Sequence, residues 1–175
     1  IIVNSLGILG GAVVLVMSLL NAYAPEIVLS ALFVKNLIYF FGHVFINISI
    51  YMAVIAVYEL LPRYTGRPWG VSRPFLWGWA ASTVMVLIVY PHHLLMDFAM
   101  PRWAAVLGQS ISYTSGLPVF TVTAYGALTN IYRSGVRWRL PAMLLILSMF
   151  GWAAGIIPAI IDATISVNRV MLLSL

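Results

Sequence analysis

The 175-residue chain contains no cysteine, and only 7% of its residues are charged. Without thiols it cannot form disulfides, iron–sulfur clusters or thiolate metal sites, so any metal it holds needs imidazole, carboxylate or carbonyl ligands. Acidic residues are scarcer still, with four Asp and Glu together against nine Lys and Arg. Polar stretches long enough to make a separate soluble domain are missing as well. Soluble domains carry about 25% charged residues, and this composition lies far from that. What remains is apolar: 63% of residues are hydrophobic and the mean hydropathy is +1.04. These values identify an integral membrane protein with a single membrane domain over residues 1–175.

Five apolar runs account for the pattern: about Ile2 to Leu20, Ser30 to Leu61, Pro74 to Leu95, Ala104 to Tyr132 and Pro141 to Ile165. Each is continuously apolar and punctuated at its ends by Pro, Gly or Arg, whereas barrel strands alternate apolar and polar over about ten residues. The expected fold is all-α, a polytopic transmembrane helix bundle of about five membrane-spanning helices. Gly7, Gly10 and Gly11 in the first run read as a close-packing face, because no lysine of a phosphate loop follows them. The first run also lacks the basic leader and cleavage site of a signal peptide, and no Met precedes Ile1, so the chain reads as cut from something longer.

Loop charges predict the topology. Arg63, Arg67 and Arg73 follow the second run, and Arg133, Arg137 and Arg139 follow the fourth. Both loops are expected on the cytoplasmic side, and the loops holding Glu26 and Asp97 on the outer side. The net charge of +5 therefore reflects orientation, and nucleic acid is not an expected partner. Trp69, Trp103 and Trp138 lie in or beside loops, where aromatic residues anchor a protein at the membrane surface.

The three histidines, His43, His92 and His93, all lie within or at the edge of apolar runs. On the expected topology His43 sits about 10 Å deeper than the outer end of the second run, and the pair lies about 6 to 8 Å deep in the third. A single histidine in such a run reads best as a polar contact between helices. Three at one depth read better as a metal site, since imidazole suits copper, zinc and iron. Neighbours on a helix point about 100° apart, so convergence of His92 and His93 requires distortion, which Pro91 provides for.

The stretches FFGHVFINISIYMAVIAVYELLPR and YPHHLLMDFAMPRW resemble the catalytic subunit of the heme–copper oxidase superfamily, closest to its B-type branch. AAGIIPAIIDATISVN is similar to the glycine-rich helix that precedes the heme-binding histidines there. The resemblance implies that His43, His92 and His93 ligate the copper called CuB, facing a heme where O2 or NO is reduced. It implies that the runs are helices five to nine of a twelve-helix subunit. It further implies a multi-pass location in the plasma (inner) membrane of a prokaryote, with lipid and other respiratory subunits as partners, among them an electron-donating cytochrome or cupredoxin subunit.

Two departures stand out. Oxygen-reducing members of that branch carry tyrosine four residues after the first histidine, and here Asn47 stands in that place. Asparagine has no redox chemistry, although its amide can hydrogen-bond a ligand; relatives without the tyrosine include nitric oxide reductases, which tilts the expectation toward NO. A polar contact between helices is the competing reading of Asn47. The family's heme-ligating histidines, in addition, have no counterpart in these residues, so heme is expected only in the complete protein. Tyr58 matches a tyrosine of the branch's proton path. Tyr51, Glu59, Thr121 and Thr123 are further candidates for proton supply, each also explicable as packing or interfacial solvation. The reading from another class is a non-catalytic copper-binding membrane protein, an assembly or sensor relative.

Overall fold

A computed structural model of the chain describes residues 1–90, 101–167 and 170. Among the described residues there are six α-helices: α1 (Ile2–Tyr23), α2 (Ala31–Thr65), α3 (Arg73–Ile88), α4 (Arg102–Thr114), α5 (Leu117–Ile131) and α6 (Leu140–Ala163). No strand occurs among the described residues, so the all-α expectation holds. Among the described residues, three helices are long and apolar enough to cross a membrane: α1, α2 and α6. Their outward faces are densely apolar, with Leu15, Leu147 and Phe150 all more than half exposed. In a bilayer such surfaces meet lipid, and helices satisfy every backbone group internally.

Helix boundaries follow local chemistry. The Ser30 hydroxyl accepts from Phe33 N–H at the start of α2, and the Ser72 hydroxyl accepts from Phe75 N–H at the start of α3. Each satisfies a donor that the first turn leaves without a partner. At the far end of α2, Gly66 adopts φ 69° and its N–H returns to the Pro62 carbonyl at 2.9 Å. That left-handed stop favours a residue without a Cβ.

The fourth apolar run divides. Pro118 sits near its centre, cannot donate to the preceding turn and crowds that turn's carbonyl. The result is α4 and α5, separated at Ser115 and Gly116. Pairing is closest between α1 and α2 and between α3 and α5. A Cβ on Gly7 would lie 2.9 Å from Val44 Cγ1, and one on Gly11 would lie 2.9 Å from the Phe41 ring, so the glycine face lets α1 reach α2 as expected. Gly78 does the same between α3 and α5, facing Val122 and the Pro118 carbonyl.

The two arginine-rich loops meet at one end of the bundle. Arg67 donates to the carbonyls of Tyr132 and Arg133 at 2.6 and 2.7 Å, and Arg137 donates from its side chain to the Arg63 carbonyl at 2.9 Å. Arg137 N–H also reaches the Tyr64 carbonyl at 3.0 Å. Trp103 and Trp138 are exposed, as membrane-surface anchors should be, whereas Trp69 turns inward and packs on Tyr58 with ring centroids 4.5 Å apart. The reason is space: Gly126 on α5 presents no side chain where the Trp69 ring lies.

Candidate functional site

The polar residues of α2 form a ladder. His43, Asn47 and Tyr51 recur every four residues, and Tyr58 follows two turns beyond Tyr51, so all four share one side of the helix. Val44 and Tyr51 sit in a buried cluster with Val86 of α3 and Val119 of α5, flanked by Trp79 and Trp152. The ladder therefore faces the interior of the bundle.

Asn47 is held by its own helix. Its amide donates to the His43 carbonyl at 2.7 Å and lies 3.5 Å from the ring nitrogen Nδ1 of the same histidine. The shorter bond decides the amide's orientation, since 3.5 Å is at the outer limit of a hydrogen bond. Asn47 and Tyr51 line a cavity of about 270 Å³ with Ser112, Ser115 and Gly116 at the α4–α5 break and Trp152 of α6. Its walls are mainly apolar, with hydroxyl and amide groups concentrated toward α2 and the break.

Closer to the arginine-rich end, the Tyr58 hydroxyl hydrogen-bonds Thr123 and accepts from Trp79 Nε1 at 3.1 Å. Thr123 is fully buried and also donates to the Val119 carbonyl at 2.6 Å. Trp69, Phe75 and Trp79 enclose the Tyr58 ring, with centroids 4.5, 5.2 and 6.0 Å away. The Trp69 indole nitrogen is buried and finds no hydrogen-bond partner among the described residues, which leaves a donor beside this cluster for water.

The other sequence candidates divide. Thr123 joins Tyr58, but Thr121 is exposed on the opposite face of α5, and Glu59 is exposed on the outside of α2. His92 and His93 lie outside the described residues. Among the described residues no three His, Cys, Asp or Glu side chains gather in a metal-binding group. Asp162 is exposed near the end of α6, where α4 fastens to the following turn: Tyr113 and Thr164 hydroxyls lie 2.5 Å apart, and Gln109 accepts from Ile165 N–H at 3.0 Å. Sequence reasoning missed Ser82 and Trp79, which complete the polar seam between α2, α3 and α5. The only signal was a serine and an indole inside an apolar run, a combination that ordinary helix packing also produces.

A multi-pass helical membrane protein with a polar seam through its core, opening on a cavity beside a histidine, is the class that fold and site define. A sequence model of the family described as cytochrome c and quinol oxidase polypeptide I matches residues 1–173. The chain belongs to that family, subunit I of the heme–copper oxidases, whose members are membrane oxidoreductases carrying heme and copper. A search of curated proteins and a search of solved structures returned no match.

Proposed function

We propose that this chain is the part of a heme–copper catalytic subunit that supplies the copper ligands, His43, His92 and His93, and that the complete enzyme reduces NO or O2. It corresponds on this reading to helices five to nine of a twelve-helix, B-type subunit in the plasma membrane of a prokaryote, fed by a cytochrome or cupredoxin partner. The observation that carries the proposal is the meeting of α2 with the approach to the histidine pair. Tyr90, two residues before His92, packs its ring edge-on against Phe40, three residues before His43, with centroids 5.7 Å apart. The half-buried imidazole of His43, on the interior face of α2, suits a ligand that must be neutral to bind.

Copper bound there would supply one-electron chemistry opposite a heme iron. The chain's own residues shape what happens beside it. Asn47 brings an amide to the cavity edge and no transferable electron, which favours the two-electron reduction of NO over the four-electron reduction of O2. The buried Tyr58–Thr123 pair, next to the arginine-rich loops, is suited to admit protons from the side that the loop charges mark as cytoplasmic. The two loops' attachment to each other supports their sharing that side.

The test uses the complete subunit in membranes. One copper per subunit is expected, and His43→Ala should remove it while heme remains. Retention of copper in that variant would overturn the assignment. Consumption of NO and of O2 at an electrode, compared in the same preparation, decides the gas; turnover of O2 alone would rule out the meaning given to Asn47.

A further inference from the structure

The two arginine-rich loops gather positive charge with nothing acidic of their own to offset it. Residues 62–73 and 132–139 hold six arginines and no Asp or Glu. The carboxylate nearest in sequence, Glu59, is exposed on the outside of α2. Backbone carbonyls take only part of the hydrogen bonding that the guanidinium groups offer. Arg67 has five N–H donors, and it places one on the Tyr132 carbonyl at 2.6 Å and one on the Arg133 carbonyl at 2.7 Å. These bonds fix the group in place, and its other donors can serve an anion.

Arg67 also lines a groove of about 610 Å³ between the α2–α3 loop and α5. Val71, Pro74 and Phe75 form one wall, and Val122, Tyr125 and Gly126 form the other, so the surface below the arginine is mainly apolar. Tyr125 is 71% exposed, which leaves the groove open along its side. On α5 it runs from Asn130, at the loop end, to Thr121. Nine residues of helix rise about 14 Å, close to the roughly 15 Å that one leaflet contributes to a hydrocarbon core of about 30 Å. The groove thus follows the direction of an acyl chain and reaches about as deep.

A small soluble anion would match the arginine and leave the apolar walls uncovered, and a purely apolar molecule would leave the charge unmatched. An amphiphile with an anionic head satisfies both. The forked guanidinium suits a phosphate, while a second, cationic headgroup would be repelled by the surrounding arginines. We propose that this groove seats one anionic phospholipid of the leaflet on the arginine-rich side, with its phosphate on Arg67 and an acyl chain along α5 from Asn130 toward Thr121. The site is independent of the redox reading, because neither metal content nor turnover enters its test.

The experiment uses the complete subunit in nanodiscs that carry a small, equal fraction of either phosphatidylglycerol or phosphatidylcholine with a photoactivatable diazirine on the acyl chain. After illumination, label is read on the peptides that line the groove. Phosphatidylglycerol should label them about fivefold more than phosphatidylcholine, the scale of one basic residue acting on an anionic lipid, and added salt should reduce the preference. Arg67→Gln should abolish the preference, and Arg67→Lys, which keeps the charge, should retain most of it. Thr121→Trp, which fills the apolar end of the groove, should lower labelling by both lipids. Equal labelling by the two lipids in the wild type would overturn the proposal by showing an ordinary lipid-facing surface. Absence of labelling by either would overturn it by showing that another segment covers the groove, and an unchanged preference in Arg67→Gln would remove the phosphate contact. Should Arg67→Gln fail to assemble, the wild-type comparison and Thr121→Trp decide.

Discussion

A single amide ties three segments together at the arginine-rich end. Asn130 is 6% exposed, accepts from the Thr65 hydroxyl at 2.5 Å, and donates to the carbonyls of Arg67 and Pro68, both at 3.2 Å. Asn130→Leu would strand the buried Thr65 hydroxyl and two loop carbonyls. A loss of about 2 kcal/mol is expected, within the range for leaving buried polar groups unsatisfied. Thermal unfolding in detergent should show a clearly lower midpoint, whereas Thr129→Val, at an exposed neighbour, should change little. The sequence did not single out Asn130, because an asparagine at the end of an apolar run reads equally well as a surface residue. Thr121 and Thr123 make the same point: two residues apart with identical chemistry, they face opposite sides of α5, and only Thr123 enters the seam.

Between elements, close approach is decided by missing side chains. A Cβ at Gly78 would lie 2.9 Å from Val122 Cγ1 and 3.0 Å from the Pro118 carbonyl. The valine could turn away, but a backbone oxygen has no alternative rotamer. Gly78→Ala should therefore cost about 1–3 kcal/mol through overpacking, and because Ser82 lies one turn along α3, it should also displace the Ser82 hydroxyl from the Val119 N–H that it accepts at 3.1 Å. The measurement is thermal unfolding in detergent, whose midpoint should fall. Helix pairing through Gly7, Gly10 and Gly11 was legible from sequence, since three glycines on an apolar helix have few other uses. The division of the fourth run was signalled by Gly116 and Pro118, yet its consequence, a backbone donor turned toward Ser82, depended on where α3 stands.

For the whole molecule, the absence of cysteine makes the orientation directly measurable. Val71→Cys and Trp138→Cys, at exposed positions in the two arginine-rich loops, should react with a membrane-impermeant maleimide from one side only; Val28→Cys, 90% exposed in the α1–α2 loop, should react from the other. Labelling of Val71→Cys and Trp138→Cys from different sides would contradict the attachment of the two loops. Residue order by itself determined the membrane class, the helical fold and the apolar runs. A chain this poor in charge must enter lipid, and in lipid the backbone is satisfied by helices. It also determined that His43, Asn47, Tyr51 and Tyr58 share a face, because the helical repeat leaves no freedom there. Which groups meet that face was decided only by the tertiary structure. Ser82, Trp79 and Thr123 reach it through the rotation of α3, the kink at Pro118 and the glycine contact between α3 and α5, and those depend on packing between segments far apart in sequence.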